Sequence, residues 1–335
     1  MDYCGLDLAK KSSRYCIVDD TRHILCEGGL RHTGRDLPRV FDRPPMRVAL
    51  EACGNSFWMA DQLGALGHDV RVVDPNRTKA IGSGLIKNDK LDARWLARLC
   101  QADLLAEVHV PSYEQRLARL PITTRDCLVR SRTRLINAAR GLLAAEGQNI
   151  AAADPARFLT LVDLASDEFP PGLLEGVQPL LDSIATLNGF IQERNQAVRR
   201  SADNDPVIRL LQTVPGVGPI SASAYASSVV DPLRFPSGRA VGAYLGLVPR
   251  LYESGKTSRR GSITKHGNSQ TRWALTMAAN GLLRSKTDSH LQRWACQLVE
   301  RVGRKKACVA VARKLAAVMW AVWKSGKPFD PRLQP

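Results

Sequence analysis

Residues 2–8 have the sequence Asp-Tyr-Cys-Gly-Leu-Asp-Leu, a short apolar stretch that ends in an acid and is followed by a polar turn. This pattern predicts a β-strand. Residues 14–18 and 24–29 have the same character, so the chain is expected to open with three short strands joined by tight turns.

Alternating strand and helix signals follow these three strands. Two more apolar strands are expected at 47–50 and 69–73. Apolar residues at helical spacing indicate helices at 56–66 and 89–100. Hairpins followed by alternating strands and helices favour a mixed sheet with helices packed on it, an α/β domain over residues 1–110.

Strand signals vanish in the middle of the chain. Two long helical patterns, 113–146 and 173–200, flank a break at 169–172 that contains Pro and Gly. They predict a helical, coiled-coil region over 111–205, for which a spacer and an oligomerisation arm are equally good interpretations. The remaining part, 206–335, is expected to be a mainly helical domain with Gly-rich interruptions.

The positive charge is concentrated in one part of the chain. The formal net charge is +16, and from residue 250 onward there are 18 Lys or Arg against 4 Asp or Glu. Counterion release makes such a surface a natural partner of phosphate backbones. An acidic membrane is the competing partner, but no strongly basic amphipathic anchor stands out at either terminus. Nucleic acid is therefore favoured.

Several protein classes are disfavoured by simple patterns. There is no run of 18 apolar residues and no secretory leader, so we expect a cytoplasmic protein that does not enter a membrane. The eight cysteines form no C-x-x-C pair, which argues against a zinc module and against a disulfide framework.

Four acids lie where predicted elements begin or end. Asp7 ends the first strand, Glu51 follows the fourth, and Asp89 and Asp92 are three residues apart at the start of a helix, on one face. Such carboxylates converge in many mixed sheets, and clustered oxygens suit Mg²⁺ or Mn²⁺ in phosphoryl transfer. Singly, each acid is better explained as a turn former, a helix-start residue or a solvated group; jointly they indicate a metal site.

A second candidate centre lies in the basic region. Ser254 stands beside Gly255 in what the sequence predicts to be a strongly basic loop, where it could attack a phosphodiester while nearby cations stabilise its alkoxide. From chemistry alone, a turn serine among phosphate-clamping arginines is the favoured interpretation. His266 is more simply a phosphate or solvent contact than a base.

A third feature is the segment Val-Pro-Gly-Val-Gly-Pro at 214–219, between two helical stretches. The turn around Gly216 and Gly218 could present backbone N–H groups to a phosphate, as helix-hairpin-helix elements do. An interhelical turn without a ligand explains it equally well.

These stretches resemble the transposases of the insertion-sequence 110 family, with its IS-eleven-eleven branch and the related Piv-type DNA invertases. The motifs are G-L-D-L-A-K around Asp7, L-E-A-C-G around Glu51, K-N-D-K-L-D-A around Asp89 and Asp92, V-P-G-V-G-P, G-L-V-P-R-L-Y-E-S-G and R-G-S-I-T-K-H-G-N. Each is weak alone, but their order and spacing match over nearly the whole chain. Thr271 departs from the usual pattern, where Leu is common.

The resemblance implies a RuvC-like (RNase H fold) N-terminal domain with a DEDD metal site, a coiled-coil middle and a C-terminal transposase domain. It also implies that Ser254, in the Y-E-S-G motif, is a nucleophile that forms a covalent intermediate with DNA. Further implications are a structured noncoding guide RNA that pairs with donor and target DNA, assembly as dimers and tetramers, and association with the nucleoid during activity.

The function expected from the sequence is therefore an RNA-guided DNA transposase or recombinase. Candidate contacts to DNA or RNA backbones are Arg259, Arg260, Lys265 and Arg272. A metal-dependent junction resolvase or nuclease that activates water, with Ser254 purely structural, is the first alternative. The second is a non-catalytic nucleic-acid-binding protein.

Overall fold

The computed structural model describes residues 1–32, 36–81, 89–151, 154–254, 257–286 and 288–332. The chain divides into two compact units, Met1–Ser112 and Tyr113–Pro335. Within the described ranges, no helix combines the length and apolarity that crossing a membrane requires.

Five strands form one mixed sheet in the first unit. They are β1 (Tyr3–Leu8), β2 (Ser12–Val18), β3 (Ile24–Arg31), β4 (Arg47–Glu51) and β5 (Asp69–Val73). Their spatial order is β3-β2-β1-β4-β5. The β1–β2 and β2–β3 pairs are antiparallel, whereas β4 is parallel to both β1 and β5. All five predicted strands are confirmed, with ends within two residues of those expected.

Four helices accompany this sheet: α1 (Asp36–Phe41), α2 (Ser56–Ala65), α3 (Pro75–Ile81) and α4 (Asp89–Gln101). The sequence predicted α2 and α4 but not the short helices α1 and α3. One face of the sheet presents Leu6 and Leu50 to a core that includes Leu63 of α2. On a separate core, Cys16 of β2 packs with Ala93 of α4. The sheet is thus a layer between helices, as the mixed α/β prediction requires.

The second unit is mainly helical. Its helices are α5 (Tyr113–Ala145), α6 (Phe158–Ala165), α7 (Leu173–Asn204), α8 (Pro206–Leu211), α9 (Pro219–Val229), α10 (Gly238–Tyr244), α11 (Ser269–Arg284), α12 (His290–Val302) and α13 (Arg304–Ser325). Two strands, β6 (Pro249–Ser254) and β7 (Thr257–Ile263), form an antiparallel hairpin.

Helices α5 and α7 pack on each other over much of their length. Their shared core contains Ile136 and Leu143 from α5 with Val177 and Ile184 from α7. On each helix the two residues are seven positions apart. The two helices run in opposite directions, as in an antiparallel coiled coil. The predicted pair of long helices is confirmed.

The helices after α7 enclose a separate core. Tyr225 of α9 is fully buried there, and its hydroxyl donates to the Ala316 carbonyl of α13 at 2.8 Å. Trp320 and Trp323 of α13 pack against the same core.

Candidate functional site

Asp7 and Glu51 lie side by side at one edge of the five-stranded sheet. Strands β1 and β4 are parallel, and Leu6 of β1 pairs with Leu50 of β4. Asp7 follows Leu6 and Glu51 follows Leu50, so the two acids lie next to each other on strands that are about 4.8 Å apart. Because side chains alternate along a strand, both carboxylates point away from the core face that Leu6 and Leu50 occupy. Both acids are half-buried.

Helix α4 covers the face to which these carboxylates point. Gly5 of β1 has no side chain, and a methyl group there would lie 2.1 Å from the Ala93 carbonyl oxygen. The C-terminal end of α4 lies at the opposite end of the sheet, because the Cys100 thiol donates to the Arg47 carbonyl of β4. The N-terminal turn of α4, with Asp92, therefore lies toward Asp7. The structure thus directs three of the four predicted acids to one edge.

A two-cation clamp fixes this end of α4. Glu27 of β3 accepts from Arg94 at 2.6 and 2.8 Å and forms an ion pair with Lys90 at 2.6 Å. Hydrogen bonds from Arg94 and Lys90 lower the pKa of Glu27 to about 2. The clamp was not predicted, because the two cations and the acid are more than sixty residues apart in the chain.

The donor set at this edge is chemically suited to a hard cation. Asp7, Glu51 and Asp92 offer only carboxylate oxygens, which Mg²⁺ and Mn²⁺ prefer. Among the side chains that the structure describes, no three His, Cys, Asp or Glu residues form a group able to hold a metal ion. Asp89 begins α4, but its side chain lies outside the described residues. The predicted four-carboxylate site agrees with the residue types at this edge and remains a prediction.

The segment around Ser254 is a β-hairpin, and the predicted basic loop is wrong in this respect. Ser254 is the last residue of β6 and pairs with Thr257 of β7. Leu251 and Tyr252 are 60% and 55% exposed, so these two consecutive residues do not show the alternation of buried and exposed side chains that marks a half-buried strand. Arg259 is exposed on β7, whereas the side chains of Ser254 and Arg260 lie outside the described residues.

Two glycines hold together the loops at the base of this hairpin. A methyl group on Gly246 would lie 2.2 Å from the His266 carbonyl oxygen, and one on Gly267 would lie 2.3 Å from that of Tyr244. Only residues without Cβ permit this backbone-to-backbone contact. The close approach explains why glycine stands at both positions in the basic motifs.

Arg272 also holds these two glycine-containing loops together. Its Nη1 donates to the carbonyl oxygens of Leu245 at 3.3 Å, His266 at 2.6 Å and Gly267 at 3.0 Å. The sequence predicted Arg272 only as a nucleic-acid contact and did not indicate this structural role. Lys265 is exposed in the same loop, with a positive φ of 61°.

The Gly216 turn joins α8 to α9, as predicted. Gly216 has a φ of +83°, and a methyl group there would lie 2.5 Å from the Ala278 carbonyl of α11. Packing therefore explains Gly216 without a ligand. Gly218 precedes α9, and a methyl group on it would meet nothing within 4 Å, so no contact in the described chain requires glycine there.

An open groove of about 520 Å³ lies between α5 and the start of α11. Arg119 and Arg130 line one side, and Asn268, the N-cap of α11, lines the other. Two further arginines of α5 point toward α7 instead. Arg125 donates to Asn195 at 2.5 Å and Arg132 to Asn188 at 2.9 Å.

Two family models match this chain. A model of DEDD transposases of the IS110 type matches residues 4–146, and a model described as transposase of the IS116/IS110/IS902 family matches residues 208–295. The first covers β1 to α5, with all four acids. The second covers α8 to α11 and includes the β6–β7 hairpin.

Individual relatives match over different shares of the chain. A probable family 20 transposase of Pseudomonas aeruginosa is 35% identical over 98% of this chain and 98% of its own length. The transposase of insertion sequence element IS1111A of Coxiella burnetii is 31% identical over 95% and 88%. A pilin gene-inverting protein of Moraxella bovis is 29% identical over 37% and 39%. On this evidence the chain belongs to the IS110 family of transposases, as its motifs indicated.

Proposed function

We propose that this protein cleaves and rejoins DNA strands as an RNA-guided transposase whose carboxylate edge and Ser254 act on the scissile phosphate. The role of the carboxylate edge is supported by the convergence of Asp7, Glu51 and the N-terminal turn of α4 on one face of the sheet. The strand order β3-β2-β1-β4-β5, with three antiparallel strands followed by two parallel ones, supports a RuvC-like (RNase H) fold for this unit.

In this proposal, the ligands of one or two Mg²⁺ or Mn²⁺ ions are Asp7, Glu51, Asp89 and Asp92. The bound metal would stabilise negative charge on the phosphate oxygens. The chain itself supplies the geometry: Gly5 allows α4 to approach β1, and Glu27 holds the helix turn that bears Asp92. The two strand-end acids are fixed by the sheet and the helix acids by this clamp.

Ser254 is the proposed nucleophile. Its hydroxyl oxygen would form a bond to phosphorus while the bond from phosphorus to the leaving deoxyribose oxygen breaks, and the hydroxyl proton would pass through solvent to that oxygen. The resulting phosphodiester joins protein to DNA and conserves the energy needed for rejoining. The support is the family match over residues 208–295, which includes this serine.

Nucleic-acid contacts are proposed for the exposed cations around the hairpin, Arg259 and Lys265, together with Arg260 and the turn at Gly218. The groove bordered by Arg119 and Arg130 also contains Asp126, which forms an ion pair with Arg130, so this groove adds chiefly Arg119 to these cations. Arg272 would act mainly by holding the 265–267 loop in place. DNA and a guide RNA offer the same phosphate chemistry to these groups.

Denaturing electrophoresis after incubation with a nicked DNA substrate tests the nucleophile. We expect a protease-sensitive protein–DNA adduct that Ser254→Ala abolishes and that the neighbouring change Ser258→Ala does not. Cleavage that persists in Ser254→Ala without any adduct would favour the resolvase or nuclease that activates water. Asp92→Asn should abolish cleavage and adduct together. A wild-type protein that cleaves no DNA, with every cellular activity intact in Asp7→Asn and Asp92→Asn, would support a non-catalytic binding protein.

Sequencing the RNA that copurifies with the full-length protein tests the guided part. A discrete structured RNA encoded beside the gene is expected. Random cellular RNA fragments would contradict guidance while leaving the cleavage chemistry open to the adduct test. Size determination of the protein with and without nucleic acid tests the proposed assembly as dimers and tetramers.

A further inference from the structure

An exposed tryptophan lies near the carboxylate edge of the first unit. Trp58 of α2 is 42% exposed, while Met59 and Leu63 of the same helix are fully buried. Its ring packs against the imidazole of His32, with ring centroids 6.2 Å apart and a tilt of 50°. A large part of this aromatic side chain is therefore exposed to solvent, with a second ring beside it.

His32 is itself held firmly in place. Its Nε2 shares a hydrogen bond of 2.6 Å with the hydroxyl of Ser13, which is only 4% exposed. Its Nδ1 lies 3.4 Å from the amide nitrogen of Asn55. Burial lowers the pKa of His32, which favours a neutral ring near pH 7. The orientation of His32 is therefore fixed by these hydrogen bonds, and Trp58 packs against it. The aromatic pair of Trp58 and His32 is called here the Trp58 platform.

The Trp58 platform is tied to the turns that follow both acid-bearing strands. Asn55, four residues after Glu51, donates its side-chain amide to the Ala9 carbonyl at 3.2 Å. The backbone N–H of His32 donates to the Lys11 carbonyl at 3.1 Å. Ala9 is two residues beyond Asp7, so its Cα is at most about 7 Å from that of the acid.

Cations border the Trp58 platform. Lys10 and Lys11 are exposed in the turn whose carbonyl groups bind Asn55 and His32, and Arg31, next to His32, is also exposed. An aromatic face beside several cations is the combination with which proteins hold single-stranded nucleic acids: bases stack on the ring while cations follow the phosphates. An apolar protein partner would have no use for the cations. The bases of a duplex are already stacked on one another, so they would not stack on the ring.

We propose that the Trp58 platform binds one unpaired nucleobase of the strand whose phosphate is presented to Asp7 and Glu51, with Lys10 and Lys11 on the adjoining phosphates. This inference rests on the proposed function, because it takes the carboxylate edge to be the place where a nucleic-acid strand is processed. The Trp58 platform requires the nucleic-acid strand to be unpaired beside the carboxylate edge, which the acids alone do not require.

Fluorescence of single-stranded DNA containing 2-aminopurine tests the platform in the full-length protein, in EDTA so that no metal-dependent step occurs. We expect quenching on binding, and we expect Trp58→Leu to remove it and to weaken single-strand binding roughly 10-fold. Trp58→Phe should keep most of both effects. Trp273→Leu is the matched control, because Trp273 is 43% exposed and lies on α11 of the second unit.

The salt dependence of binding tests the cations. Replacing Lys10 and Lys11 by Gln should reduce the slope of log affinity against log salt by about 1.4 for single strands. Equal binding by Trp58→Leu and the wild type, or equal losses in Trp58→Leu and Trp273→Leu, would overturn the inference even if the adduct at Ser254 is found. Conversely, platform-dependent quenching in a protein that forms no adduct would support this inference and contradict the proposed chemistry.

Discussion

The backbone of Gly5 lies directly against the backbone of Ala93. A methyl group on Gly5 would be 2.1 Å from the Ala93 carbonyl oxygen and 2.3 Å from the Ala97 nitrogen. No real Cβ contact is this short, so the packing of α4 on β1 depends on glycine. The same contact determines where Asp92 lies relative to Asp7, and the carboxylate edge therefore depends on a residue that bears no functional group.

Gly5→Ala should push α4 away from the sheet. Overpacking against rigid backbone is expected to cost about 3 kcal/mol, which lowers the Tm of the first unit by on the order of 10 °C. Thermal unfolding and hydrogen exchange of residues 89–101 measure this. Gly64→Ala is the control, since a methyl group there meets nothing within 4 Å and alanine favours the helix. Equal Tm values for the two variants would contradict the close-packing argument.

Glu27→Gln should weaken the clamp on α4 in a pH-dependent way. The folded-state pKa of about 2 lies below the ordinary value of 4.5, so Glu27 stabilises the fold above pH 4.5. That contribution is lost as pH falls from 4.5 toward 2. Urea unfolding should therefore show a stability gap between wild type and variant at pH 7 that narrows in acid. Asp20→Asn, on the exposed β2–β3 turn, should show no such gap; a gap that widens in acid would be the wrong sign.

Arg272→Lys should loosen the base of the β6–β7 hairpin. A lysine ammonium does not reproduce the planar guanidinium that reaches the carbonyl groups of Leu245, His266 and Gly267. Faster hydrogen exchange is expected in β7, with a loss of about 1–3 kcal/mol in unfolding free energy. Arg284→Lys at the exposed end of α11 serves as the control. Unchanged exchange in β7 would show that the crossing of Gly246 and Gly267 holds the hairpin without Arg272.

Thr271→Val should destabilise the second unit. The buried Thr271 hydroxyl donates to the Ala224 carbonyl at 3.0 Å and shares a 2.6 Å hydrogen bond with Ser228, linking α11 to α9. Valine has nearly the same shape but removes both hydrogen bonds, at a cost of about 1–3 kcal/mol, while the Ala224 carbonyl and the Ser228 hydroxyl keep Ser227 and Asn268 as partners. Chemical denaturation measures the change. Thr276→Val, whose hydroxyl bonds only within its own helix at the Arg272 carbonyl, should cost less.

Much of the first unit followed from local patterns. The short apolar runs that end at Asp7 and at Glu51 predicted two strands that each end in an acid, and the helical spacing of Asp89 and Asp92 predicted a helix start. These signals are local, because strand and helix periodicity are written in consecutive residues. The long helices α5 and α7 were predictable for the same reason.

The surroundings of these residues were decided only by tertiary structure. Nothing near Trp58 in the sequence indicates that His32 supports its ring, and nothing near Arg125 or Arg132 indicates that both meet asparagines of α7. The β6–β7 hairpin escaped prediction because the neighbouring apolar residues Leu251 and Tyr252 of β6 are both exposed, so they do not alternate between a buried and an exposed face.

The sequence by itself determined where the glycines stand and that Asp7 and Glu51 are the acids at the ends of two strands. Their convergence on one edge was decided by the fold, through the parallel pairing of β1 with β4 and the contact of Gly5 with Ala93. The physical reason is that periodicity fixes the face to which a side chain points, whereas strand pairing and close packing fix the distant residue that it meets.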